Sequence, residues 1–98
     1  MSTLSTHVLD AEAGRPAVGV PVRLEHEGRV LAEDRTDDDG RVRALGADLP
    51  VGVYRIVFEV DGPFYPEVVV AFRVTEPGAH YHVPILLSPF AFTTYRGS

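Results

Sequence analysis

Ninety-eight residues with 45% hydrophobic content make one soluble domain with room for a single core, residues 1–98 throughout, and leave no cleft between domains to hold a site. No apolar run approaches the roughly 18–20 residues that cross a bilayer, and a net charge of −5 with the basic residues scattered singly offers no footprint for a phosphate backbone, so neither membrane nor nucleic acid is expected as a partner. The absence of cysteine excludes disulfides, thiolate nucleophiles and sulfur-bound zinc.

Met1 to Asp10 has no basic segment followed by an apolar core, which makes the cytoplasm the expected location. Leu4 to Asp10 reads instead as a strand with His7 and Leu9 on one face and Val8 on the other. Gly14, Arg15 and Pro16 mark a turn, after which Val20 to Glu25 alternates Val20, Val22, Leu24 against Pro21, Arg23, Glu25 as a half-buried strand. Glu27 and Gly28 turn the chain into a weaker strand, Arg29 to Arg35. The run Asp37, Asp38, Asp39, Gly40 is a tight turn that Arg41 leaves at once, with Val42 and Arg43 as a fourth short strand.

Gly46 to Gly52 is loop, and Val53 to Val60 is the clearest central strand, with Tyr54, Ile56, Phe58 and Val60 on one face. Asp61, Gly62 and Pro63 break it; Glu67 to Val74 follows and ends at Pro77 and Gly78. Two further strands occupy His80 to Tyr95, parted by Ser88 and Pro89. In the first of them Tyr81, Val83, Ile85 and Leu87 point one way and His82, Pro84 and Leu86 the other. Eight short strands with no stretch of helical period predict an all-β fold, an antiparallel two-sheet sandwich.

Two features of His80 to Ser88 stand out. Its second face is apolar apart from one imidazole, so something must cover it, and a second copy of the chain is one candidate. Pro84 also lies inside a strand that should be well paired, where proline ordinarily implies an edge or a bulge.

Of the four histidines, His26 beside its turn reads as packed or surface, while His80 and His82 have the spacing that puts two rings on one strand face. A metal would need a third ligand, none has recognisable spacing, and no metal site is assigned. Ser88 and Ser98 sit in no activating frame for a serine nucleophile, and Asp37 to Asp39 lacks the spaced oxygens of a calcium loop.

Taken together, Leu4-Ser5-Thr6-His7-Val8-Leu9-Asp10, Asp39-Gly40-Arg41, Phe64-Tyr65-Pro66-Glu67-Val68, His80 to Pro89 and the closing Tyr95-Arg96-Gly97-Ser98 closely resemble the 5-hydroxyisourate hydrolases of the transthyretin-like family. The resemblance runs over nearly the whole chain. It implies an eight-stranded transthyretin-like sandwich, a homotetramer built as a dimer of dimers, and active sites in the channel between dimers. It also implies hydrolytic opening of the 5-hydroxyisourate ring at a lactam C–N bond in urate degradation, with water as nucleophile and no cofactor. His7, Arg41, His82 and Ser98 match the catalytic positions, and His7, Arg41, Tyr95 and Arg96 the substrate-binding ones. On this basis His7 is expected to activate water while His82 and Arg41 hold the ring, and the carboxylate at Ser98 to orient a donor nearby. An imidazole titrating near ~6.5 suits proton abstraction at cellular pH, and a planar, permanently charged guanidinium suits the charge that grows on the attacked carbonyl.

The chain departs from that pattern between Val60 and Phe64. Relatives usually carry a longer insert with a short helix there, and this chain is expected to lack the helix. Two other readings compete: a transthyretin-like carrier that binds a small ligand without catalysis, and a structural or carbohydrate-associated module. Transthyretin proper lacks the two histidines, the arginine and the terminal tetrapeptide; a module of the second kind explains only the Gly14 to Leu24 stretch, which speaks of fold.

Overall fold

The computed structural model describes residues 2–98. Its nine strands are β1 (Thr3–Asp10), β2 (Arg15–Pro16), β3 (Pro21–His26), β4 (Arg29–Arg35), β5 (Arg41–Val42), β6 (Gly52–Phe58), β7 (Val68–Val74), β8 (His80–Ser88) and β9 (Ala91–Thr94), with no helix among the described residues. The stretch after Asp61 is accordingly a plain turn, closed by Gly62 N–H donating to the Tyr65 carbonyl at 3.0 Å.

The strands form two sheets. One runs β4-β3-β6-β7, all antiparallel; the other runs β2-β1-β8-β9, with β5 also on β1. Because β8 occupies one side of β1, the two short strands share the other, β5 against Thr6 and His7 and β2 against Leu9 and Asp10. The ninth strand is β2: the turn expected at Gly14 to Pro16 lies earlier, at residues 11–14, and Arg15 and Pro16 already pair back. One pairing is parallel, β1 with β8, the outermost long strands in sequence, so the sandwich is antiparallel everywhere except at the junction that carries the histidines.

Alternation decides the core. Leu4 and Val8 from β1, Val22 and Leu24 from β3, Tyr54, Ile56 and Phe58 from β6, and Tyr81, Val83 and Ile85 from β8 are all buried between the sheets. Their neighbours in sequence, Ser5, His7, His82 and Leu86, are only half-buried and belong to the outer face of the five-stranded sheet.

Pro84 finds its explanation in the direction of backbone groups. The carbonyls of Ala79 and Leu87 accept from Thr3 and Ala11 on the β1 side, whereas that of His82 accepts from Gly97 on the β9 side. Odd residues of β8 therefore address β1 and even ones β9, and the N–H that Pro84 lacks falls toward β9. There the ladder, continuous from Ser88↔Ala91 to Ile85↔Thr94, stops and resumes only at the single bridge His82↔Gly97. The Pro84 carbonyl is taken by the Thr94 hydroxyl at 2.8 Å. A proline in a central strand is tolerated because the last segment of the chain leaves the sheet beside it.

Candidate functional site

The outer face of the junction between β1, β5 and β8 gathers the polar side chains. Register makes His7 the partner of Arg41 across β1 and β5, and Ser5 the partner of His82 across β1 and β8, so the four share one face.

Arg41 is delivered by the acidic turn. Asp37 Oδ1 accepts the backbone N–H of Asp39 at 2.9 Å and of Arg41 at 3.0 Å. The bond from Arg41 is the main reason the Asp37 carboxyl lies below its ordinary pKa. Gly40, with φ +75°, is wedged so tightly that a Cβ would stand 2.5 Å from the Val8 carbonyl oxygen and 2.8 Å from Pro16 Cβ. Its own carbonyl accepts Val8 N–H at 2.7 Å. Glycine is thus what lets the turn lie on β1 and point Arg41 across His7. Among the described residues no acidic side chain pairs with the Arg41 guanidinium, whereas Arg43 leans on Asp39 at 3.4 Å and on Asp37 at 3.9 Å.

His7 Nε2 lies 2.8 Å from the Asp39 carbonyl oxygen, which can only accept, so Nε2 carries the proton and Nδ1 is the free acceptor. His82 is bonded the other way round: its Nδ1 meets Ser5 Oγ at 2.8 Å, leaving Nε2 for the cavity. Burial foremost, then the charge of Arg41 and smaller electrostatic effects of His7 and His80, hold the His82 pKa below the usual imidazole value, against an opposing effect from the Ser5 backbone. His82 is therefore neutral over a wider range of pH than a free histidine.

A cavity of about 330 Å³ is lined by Ser5, Thr6, Arg41, Arg43, His80, His82 and Ser98. Beside it His7 lines a second, more open hollow with Pro16, Asp39, Arg41 and Arg43, so Arg41 is shared by both. Of the residues singled out in the sequence, Arg41, His82 and Ser98 share one cavity and His7 adjoins it through Arg41. Tyr95 and Arg96 do not join them. They line another hollow, with Val70, Phe72, Tyr81 and Val83 at the open edge between the sheets, and the Arg96 guanidinium lies 4.6 Å from the centre of the Tyr81 ring. Strand β9 ends at Thr94, so both residues lie just past its last pair.

Ser5, Thr6 and Arg43 were not singled out in the sequence. For Ser5 a signal existed: it stands two residues from His7 and so belongs to the same strand face. His80 proves to be the first residue of β8, its ring bonded to Ser5 Oγ at 2.9 Å through Nε2, an arrangement that treating it only as one half of a metal pair overlooks.

Comparison with known proteins extends this picture. The HIUase/transthyretin family pattern matches residues 4–97. A 5-hydroxyisourate hydrolase of Caulobacter vibrioides is 44% identical with all of both chains covered. Among solved structures, the 5-hydroxyisourate hydrolase of Klebsiella pneumoniae superposes with a TM-score of 0.92 at 38% identity, again over all of both chains. Sea bream transthyretin in complex with thyroxine superposes with a TM-score of 0.87 at 31% identity, covering 96% of this chain and 93% of that one. The same backbone thus serves both a hydrolase and a hormone-bound protein, and the side chains must separate the two.

Proposed function

The chain belongs to the HIUase/transthyretin family, and from that premise we propose that it hydrolyses 5-hydroxyisourate, opening the lactam C–N bond to give 2-oxo-4-hydroxy-4-carboxy-5-ureidoimidazoline in urate degradation. The observation that carries this reading is the meeting of His82 and Arg41 on one cavity, in a chain 44% identical over its full length to a hydrolase of that name.

The chemistry follows from the atoms available. His82 Nε2 takes a proton from water as the water oxygen bonds to the lactam carbon; the developing oxyanion faces the Arg41 guanidinium, which forms no ion pair with a described acidic side chain. Collapse breaks the C–N bond, and the departing nitrogen takes a proton back. His7, with Nε2–H fixed on Asp39, offers Nδ1 to a substrate N–H. This reading gives the base role to His82 and not to His7, because His82 stands on the cavity with its Nε2 uncommitted while His7 borders it. Ser98 orients the substrate from the cavity wall. Within one chain Tyr95 and Arg96 line another hollow, and the reading gives them no contact with the substrate. Water, a base and a fixed cation suffice, so no cofactor enters.

The protein is taken to work as a dimer of dimers, a reading supported by the outer face of β8, which beyond His82 continues with the apolar Pro84 and Leu86; static light scattering on the purified protein tests it. A non-catalytic carrier is the alternative that the likeness to sea bream transthyretin favours. Freshly generated 5-hydroxyisourate, followed against its spontaneous decay, decides between them. Clear acceleration that His82→Ala and Arg41→Ala abolish is expected; loss at the spontaneous rate overturns the hydrolase reading.

A further inference from the structure

His80 lines the same cavity as His82 and Arg41, yet the reaction as written gives it no task. The parallel pairing of β1 with β8 sets Thr3 beside His80 and Ser5 beside His82. Their side chains form one continuous row of hydrogen bonds: His82 Nδ1 to Ser5 Oγ at 2.8 Å, Ser5 Oγ to His80 Nε2 at 2.9 Å, and His80 Nδ1 to Thr3 Oγ1 at 2.5 Å. A serine hydroxyl has one proton, so between two ring nitrogens Ser5 donates to one and accepts from the other. Each imidazole can accept at one nitrogen and release from the other, which lets the whole row invert in concert. The row starts at half-buried His82 and ends at His80, which is exposed to solvent.

We propose that His82, Ser5 and His80 form a proton wire, which carries the proton taken from the attacking water out of the cavity and returns one to the departing nitrogen; the wire rests on the hydrolytic reading above. In the resting state His82 Nδ1–H donates to Ser5, Ser5 O–H donates to His80 Nε2, and His80 Nδ1–H donates to Thr3. As water attacks, its proton goes to His82 Nε2, the Nδ1 proton to Ser5 Oγ, the Ser5 proton to His80 Nε2, and the His80 Nδ1 proton to solvent beside Thr3. When the C–N bond breaks, the sequence reverses: solvent returns a proton to His80 Nδ1, and His82 Nε2–H protonates the nitrogen. One water is consumed and the row regains its starting arrangement.

The need for such a path comes from the charges around the base. Arg41 and Arg43 share the cavity, each partly offset by Asp37 and Arg43 also by Asp39. An imidazolium left on His82 would add a further positive charge there, in a half-buried place where burial and Arg41 already disfavour it. The wire discharges it where solvent can accept it.

Ser5→Ala cuts the wire and leaves His82 and Arg41 in place. We expect kcat to fall about ten-fold or more with KM within about two-fold, and Ser5→Thr to restore most of the loss. His80→Gln keeps an acceptor for Ser5 but passes no proton, so kcat falls as in Ser5→Ala while ¹⁵N NMR of the resting protein still finds the His82 proton on Nδ1; in Ser5→Ala it moves to Nε2. In mixed H₂O and D₂O the wild-type rate bows with isotope fraction, as several protons in flight require, and Ser5→Ala gives a straight line. Wild-type kcat in either Ser5→Ala or His80→Gln, in a protein that does accelerate the reaction, overturns the wire alone, as does a resting His82 protonated on Nε2. A wild-type protein that fails to accelerate the reaction overturns wire and hydrolase together.

Discussion

The backbone N–H of Gly97 donates to the His82 carbonyl at 2.8 Å, and a methyl group on Gly97 would stand 2.5 Å from Cδ2 of the His82 ring. Glycine is what allows the end of the chain to lie flat against the imidazole and close one side of it.

Gly97→Ala should therefore act on the ring and not on the fold. Real Cβ atoms do not approach a ring carbon that closely, so the imidazole must turn, which breaks its bond with Ser5 and misaims Nε2. A displacement on the order of 1 Å costs about 10²-fold in turnover. Steady-state kinetics are expected to show that loss while the thermal midpoint moves by only a few degrees, about the shift for 1 kcal/mol or less in a domain of this size. Full activity in Gly97→Ala would mean that the ring's position is not what the tail fixes.

The pH profile follows from the neutral His82. A base must be unprotonated, so the acid limb of kcat/KM is expected below the ordinary imidazole value, because burial and the Arg41 charge lower the His82 pKa. Replacing Arg41 by Gln removes the second of those causes. The residual activity, reduced roughly 10²–10³-fold, should then show an acid limb displaced upward. Stability carries the same sign: the unfolded chain binds this proton more readily than the folded one, so His82 destabilises the protein as pH falls from above the unfolded value through the folded one. An acid limb that stays put in Arg41→Gln would remove Arg41 from the electrostatics of the base.

Tyr81→Phe separates stability from chemistry on the opposite face of β8. The Tyr81 oxygen accepts the backbone N–H groups of Thr75 and Glu76, both at 3.0 Å, and the bond from Glu76 above all holds the phenol pKa below its usual value. Phenylalanine leaves both donors without that acceptor at the β7–β8 turn. Urea denaturation is expected to report a loss of about 1–3 kcal/mol, with kcat per folded molecule close to wild type. An unchanged midpoint would show that water replaces the phenol at no cost.

His26→Ala tests the histidine assigned to packing. Its ring stacks on Tyr54 with centroids 4.2 Å apart, and Nδ1 donates to the Val53 carbonyl at 2.9 Å, all in the four-stranded sheet. Loss of the stack and the bond should cost about 1–2 kcal/mol and leave turnover unaltered. A fall in kcat here would contradict a site confined to the β1, β5 and β8 face.

What could be read from the residues alone was set by period. Alternation in β1, β6 and β8 told buried from exposed positions, and it put His82 and His7 on outward faces, because two-residue spacing is a local property. Neighbours in a sheet are not local. Nothing in Leu4 to Asp10 or His80 to Ser88 announces that these strands pair, or that they pair in parallel, and the junction between Ser5, His80 and His82 exists only through that pairing. Arg15 and Pro16 escaped notice because a two-residue strand has no period. The place of Tyr95 and Arg96 in a hollow of their own was equally out of reach, because both lie beyond Thr94, where β9 and its alternation end.

Ser5 and His82, in hydrogen-bond contact, are separated by 77 positions along the chain. Loop closure over such a distance comes late in folding, after the hairpins between have formed at lower entropic cost. During synthesis Ser5 therefore waits for its base until β8 has emerged, and a nascent chain that ends before His82 has no base with which to open a ring. Turnover becomes a readout of completed folding, and an intermediate holding only the β3-β4 and β6-β7 hairpins would be chemically silent.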